Sequence, residues 1–156
     1  MTRTANPETT LRMSRRIAAD RERVYAALLD ANVLQQIWSA EAYTIARIAV
    51  DPRVGGGWQM AMRDEATGTE NRCSATYLEL DPPQRIVWLT KWHDGPLADA
   101  AEMRVTLQLS SIGGDTQIDL VHEFFPDSTT RDHHASGWGA GFDRLAALLE
   151  GSQQAR

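Results

Sequence analysis

Apolar positions recur along this chain with two periods, and each switch between them marks an element boundary. Between residues 9 and 18, Leu11, Met13 and Ile17 alternate with Arg12, Ser14 and Arg16, which predicts a first strand at a sheet edge, with Arg15 interrupting its inner set. Asp20 is placed to cap a helix whose buried side is Val24, Ala27 and Leu28, and Val33, Leu34, Ile37 and Trp38 form a second short helical pattern. From Tyr43 the period becomes two. Tyr43–Val50 reads as a strand ending at Asp51-Pro52, and Gly55–Gly57 as a turn. Trp58, Met60 and Met62 share one face of the strand that follows. Asn71–Leu80 is stopped by Pro82-Pro83. Ile86–His93 carries Ile86, Trp88, Thr90 and Trp92 on one side, and residues 94–101 form a loop. Met103, Val105, Leu107 and Leu109 alternate in the next strand, and Ile118, Leu120, His122 and Phe124 in the last.

The period then returns to 3.6. From Asp127 to Glu150, Trp138, Phe142, Leu145 and Leu149 form a stripe, widened by Ala135, Gly141 and Leu148. Asp127 or Ser128 caps this helix and Gly151 marks its end. Gly137, Gly139 and Gly141 lie in its middle, each costing about 1 kcal/mol relative to Ala. The expectation is that Gly137 and Gly141 thin the helix over the sheet to leave room for a ligand. The whole predicts an α+β fold. About seven antiparallel strands curve onto a long C-terminal helix, with two short helices after the first strand. One domain spans residues 9–151, with flexible tails at 1–8 and 152–156.

Composition narrows the function. A net charge of −5 with one lysine, Lys91, opposes nucleic-acid binding, which needs clustered basic side chains. Apolar residues make up 42%, but no run approaches a membrane span and no signal-peptide core precedes the first strand. With a lone Cys73, this places the protein in the cytoplasm without membrane insertion. Five tryptophans are many for 156 residues and raise the prospect of a pocket or interface, a homodimer included.

Four segments carry a resemblance. They are Asp51-Pro-Arg-Val-Gly-Gly-Gly-Trp58, Glu79-Leu-Asp-Pro-Pro-Gln-Arg-Ile86, Thr116-Gln-Ile-Asp-Leu-Val-His122 and His134-Ala-Ser-Gly-Trp138. In order and spacing they resemble the START-like (SRPBCC) superfamily. Within it, the likeness is to bacterial-type, stand-alone members of the family named for the C-terminal domain of the activator of the ninety-kilodalton heat-shock chaperone's ATPase. Ile37-Trp38-Ser39-Ala40 departs from the Trp-Trp-Gly-Pro common there. The resemblance implies a helix-grip fold with a groove between sheet and helix for a small apolar molecule.

Alternation supplies the lining independently: Trp58, Met60 and Met62; Trp88 and Trp92; Leu107; Leu120 and His122; Trp138, Gly141, Phe142 and Leu145. Trp38 adds apolar surface. The competing reading is that each of these only fills a core. His122 points inward by its period, as a polar anchor, as a general acid or base, or as a structural histidine. His134 lies one turn before Trp138 on the same helix face, placed either to face His122 across the groove or to cap the sheet–helix junction without chemistry. Three function classes follow. The first is apolar ligand binding, with His122 and the Trp92 N–H as anchors. The second is a cyclase- or dehydratase-type enzyme using His122 and His134. The third is a co-chaperone-like interaction module. No metal or other cofactor is expected, because His133 and His134 diverge by about 100° on a helix and no ligand pair has zinc-helix spacing.

Overall fold

The structure, a computed structural model, describes residues 4–154, with side chains described as far as residue 150. Its elements are β1 (Leu11–Ile17), α1 (Arg21–Leu28), α2 (Ala31–Ile37), β2 (Tyr43–Asp51), β3 (Gly57–Asp64), β4 (Glu70–Asp81), β5 (Arg85–Trp92), β6 (Met103–Ile112), β7 (Asp115–Glu123) and α3 (Ser128–Gln154). The strands form one antiparallel sheet in the order β1-β7-β6-β5-β4-β3-β2. The six later strands are therefore a meander, and β1 is an edge beside the last of them. The sheet curls onto α3 in an α+β, helix-grip arrangement, as the sequence predicts. Among the described residues no helix is long and apolar enough to cross a membrane.

Local chemistry explains the helix starts. The Asp20 carboxylate accepts from Arg23 N–H at 2.9 Å, Asp30 from Val33 N–H at 3.1 Å, and Asp127 from Thr130 N–H at 2.7 Å. Each satisfies a donor that has no partner within its helix. The Gly55–Gly57 turn is set by close approach: a Cβ on Gly57 would sit 1.7 Å from the Ala75 carbonyl oxygen on β4. Only glycine lets β3 start there.

Three expectations are corrected. Residues 1–8 are not wholly a free tail, because Pro7–Thr9 form a 3-10 turn capped by Asn6, and Arg131 donates to the Glu8 carbonyl at 2.7 Å. The first strand therefore starts at Leu11. At the other end α3 runs through Gly151 to Gln154, into the predicted C-terminal tail. Residues 1–3 and 155–156 lie outside the described residues. Arg15 interrupts the inner set as expected: it faces inward and forms an ion pair with Asp143 of α3, joining the edge strand to the helix. Finally, Phe124 does not continue the β7 alternation. Its φ of 73° turns the backbone into the left-handed region, and Phe125, only 3% exposed, takes the inner place.

The core lies where α3 meets β1 and the two short helices. Ile17, Leu34, Ile37, Ile118, Leu120, Phe142 and Leu145 are all essentially water-free there. Elsewhere α3 stands off from the sheet: its closest backbone neighbours are β1 and α2, not the central strands.

Candidate functional site

That gap is a cavity of about 500 Å³, open to the surface, between α3 and the inner faces of β3, β4, β5 and β6. All five tryptophans line it. Trp38 follows α2 and meets Trp58 edge-on at a ring separation of 5.3 Å. It also stands 6.4 Å from Trp88 and 6.2 Å from Trp138. These tilted and T-shaped contacts are the arrangement indole quadrupoles favour. Met60 and Met62 add flexible wall, as their alternation predicts. Trp92 is half-buried on the same wall.

The ten candidate residues divide. Trp38, Trp58, Met60, Trp88, Trp92, His122 and Trp138 come together on the cavity wall. Leu120 and Phe142 do not: each is 1% exposed within the packed core, where helix and sheet touch. Leu107 and Leu145, at 1% and 0%, share that fate. Gly141 is also away from the cavity. A Cβ there would stand 3.2 Å from the Ile37 carbonyl oxygen, so this glycine lets α3 approach the end of α2. Gly137 behaves as the groove idea anticipates: it lines the cavity and a Cβ would meet nothing within 4 Å.

The polar chemistry gathers around His122. Its Nδ1 accepts the Trp138 indole N–H at 3.1 Å, Phe125 stacks on its ring at 4.2 Å, and His134 meets it edge-on at 5.5 Å. Burial, reinforced by the neighbouring His134, lowers the His122 pKa well below the ordinary histidine value. The imidazole is therefore neutral, and with Nδ1 accepting, its one proton is on Nε2. His134 has the opposite form. Its Nδ1 lies 3.0 Å from the Thr130 carbonyl, which can only accept, so the proton is on Nδ1 and Nε2 keeps a lone pair. Burial lowers the His134 pKa too. His122 Nε2, Trp58 Nε1 and Trp88 Nε1 are buried without any hydrogen-bond partner. Three such donors at one site are unusual, since buried polar groups are normally paired.

Several wall residues escape the sequence reading. Asp94, Pro96 and Leu97 belong to the loop after β5, which looks in sequence like a plain connector. Lys91 fastens that loop, donating to the Ala98 and Ala100 carbonyls at 2.7 and 2.6 Å. Arg72 grips Asp94 and holds that carboxyl down at about 2. Arg144 reaches the cavity from α3 and donates to the Ile37 carbonyl at 3.0 Å. Cys73 also lines it, but burial pushes the thiol up to about 11, which removes nucleophilic character at neutral pH. A second hollow of about 560 Å³ is walled by β2, β3 and β4. Its two arginines, Arg47 and Arg72, are engaged by Glu70 and Asp94.

A curled antiparallel sheet gripping a long C-terminal helix around an aromatic groove defines a helix-grip protein. The family model described as Activator of Hsp90 ATPase homolog 1-like protein matches residues 18–150, and the chain belongs to that family. A protein of known crystal structure from Chromobacterium violaceum is similar at 30% identity and a TM-score of 0.82, over 91% of this chain and 98% of its own. A member of the same family from Silicibacter pomeroyi shares 26% identity at a TM-score of 0.77, over 90% and 97% of the two chains. A protein from Rhodobacter sphaeroides shares the fold at 21% identity and a TM-score of 0.78, over 95% and 98%. No curated protein matches the chain.

Proposed function

We propose that this protein binds a small, largely apolar molecule in the groove between α3 and the sheet. The observation that carries the reading is the convergence of all five tryptophans on one open cavity of about 500 Å³. Ligand sites are typically concave, mostly apolar and of this size, with a few polar groups that orient the guest. His122, His134 and the two unpartnered indole N–H groups are those polar groups here. Native mass spectrometry of the purified protein, followed by solvent extraction, tests the reading directly. The expected result is a mass excess that disappears on denaturation and is recovered as a small organic molecule. Apo-mass protein that also fails to take up any apolar probe would sink it.

The juxtaposition of His122 and His134 supports a second reading, proton-transfer catalysis of the cyclase or dehydratase type. The N–H of one ring would act as acid and the lone pair of the other as base. His122→Ala separates the two: a carrier loses affinity by about tenfold, the worth of one buried hydrogen bond, whereas an enzyme loses turnover by about 100-fold or more. A chaperone-docking role, which the family's name brings to mind, finds less support. Among the described residues only Tyr43, Val54 and Leu78 are large, apolar and exposed. The buried, unreactive Cys73 fits a reducing cytoplasm.

A further inference from the structure

The two histidines present complementary edges. His122 offers an N–H at Nε2, because the Trp138 indole already occupies its Nδ1. His134 offers a bare Nε2, because its Nδ1 proton faces the Thr130 carbonyl. The rings stand 5.5 Å apart and nearly perpendicular. Resting on the reading of the groove as a small-molecule site, we propose that its ligand carries a neutral hydroxyl seated between these rings. The hydroxyl oxygen accepts from His122 Nε2–H, and its proton is donated to His134 Nε2.

The alternatives each leave one ring unsatisfied. A ketone or ether accepts from His122 but gives His134 nothing. A carboxylate sets its charge against the His134 lone pair, and an ammonium sets its protons against the His122 N–H. A single oxygen that both accepts and donates matches both, and the 5.5 Å between ring centres puts the two rings within reach of one bridging group. Trp58 and Trp88 line the same cavity, and their indole N–H groups are buried and unpartnered. His122 Nε2 is closed to water, so seating the hydroxyl takes a small shift of the rings around it. Tilted indoles favour a flat or ring-shaped body, so the ligand class is a phenol or a ring alcohol.

Titration calorimetry on the unmodified protein with β-naphthol, its methyl ether, naphthalene and β-naphthoate tests this. β-Naphthol should bind at least about tenfold tighter than the methyl ether, the size of effect expected when a buried lone pair gains or loses its donor. In His134→Phe, which keeps a ring in place, that ratio should collapse toward one while the ether keeps its affinity. Ring-nitrogen chemical shifts of the wild type supply a measurement that needs no variant: His122 should be the Nε2–H tautomer and His134 the Nδ1–H tautomer. Equal binding of naphthol and ether overturns the hydroxyl anchor but leaves the groove reading standing. A preference for naphthoate also overturns it and moves the anchor toward Arg144. Matching tautomers in the two rings overturn it as well. If none of the four compounds binds, the groove reading fails together with the anchor.

Discussion

Trp138 is what gives His122 a defined chemical identity. Without its indole N–H, both imidazole nitrogens would lack a fixed partner, and the ring's proton would have no preferred site. Trp138→Phe keeps the ring in the groove but removes the donor. It should destabilise the fold by about 1–3 kcal/mol, the penalty for a buried acceptor left unpaired, as read from urea denaturation. The same residues set a pH response. His122 and His134 are neutral in the fold, with pKa values below the unfolded value of 6.5. Unfolding therefore takes up protons below that value. Their contribution to stability is complete above about pH 6.5 and is lost as pH falls toward the lowered folded values. The urea midpoint should drop between about pH 7.5 and 5, and His134→Phe should flatten that slope. An unchanged slope in the variant would assign the pH effect elsewhere. At this scale, alternation in β7 was enough to aim His122 inward. It could not reveal Phe125, because a left-handed Phe124 breaks the two-residue period that the inference uses.

The helix α3 shows what a periodic stripe does and does not contain. Trp138, Phe142, Leu145 and Leu149 all face inward, yet they meet different surroundings. Phe142 and Leu145 close a core, whereas Trp138 borders open space. Apolar residues are required in both places, so period alone cannot separate them. What separates them is how far the helix stands from the sheet: α3 packs on β1 and α2 and leaves the central strands open. The glycines give the difference a measurable form. Gly137→Ala places its methyl in free space and should stabilise the helix by about 1 kcal/mol while crowding the groove. Gly141→Ala meets the Ile37 carbonyl oxygen at 3.2 Å, so it should lose that gain or become destabilising. Thermal denaturation of the two variants side by side checks the ordering. A greater gain from Gly141→Ala than from Gly137→Ala would contradict the packing described above.

Across the whole molecule, stability and binding occupy different ends of the sheet–helix interface. Leu145→Ala, at a site with no exposure, should cost about 2–5 kcal/mol. Met60→Ala, on the cavity wall, should cost clearly less and act mainly on ligand affinity, as denaturation and calorimetry of both variants would show. The fold itself was open to reading because its meander, its caps and its long helix all rest on local patterns that agree with one another. The site was only half open to reading. Its strand and helix walls follow from alternation, but its loop wall of Asp94, Pro96 and Leu97 depends on Lys91 folding that segment back, which no periodicity announces.

Because every indole in the chain borders the same cavity, the protein's near-ultraviolet emission is in effect the emission of its groove. Ring separations of 5.3 to 6.4 Å among Trp38, Trp58, Trp88 and Trp138 are short enough for excitation to pass between them. A guest that touches one of these four rings should then quench or shift the emission the cluster shares. Occupancy can be followed in the unmodified protein, without a label, by its own light.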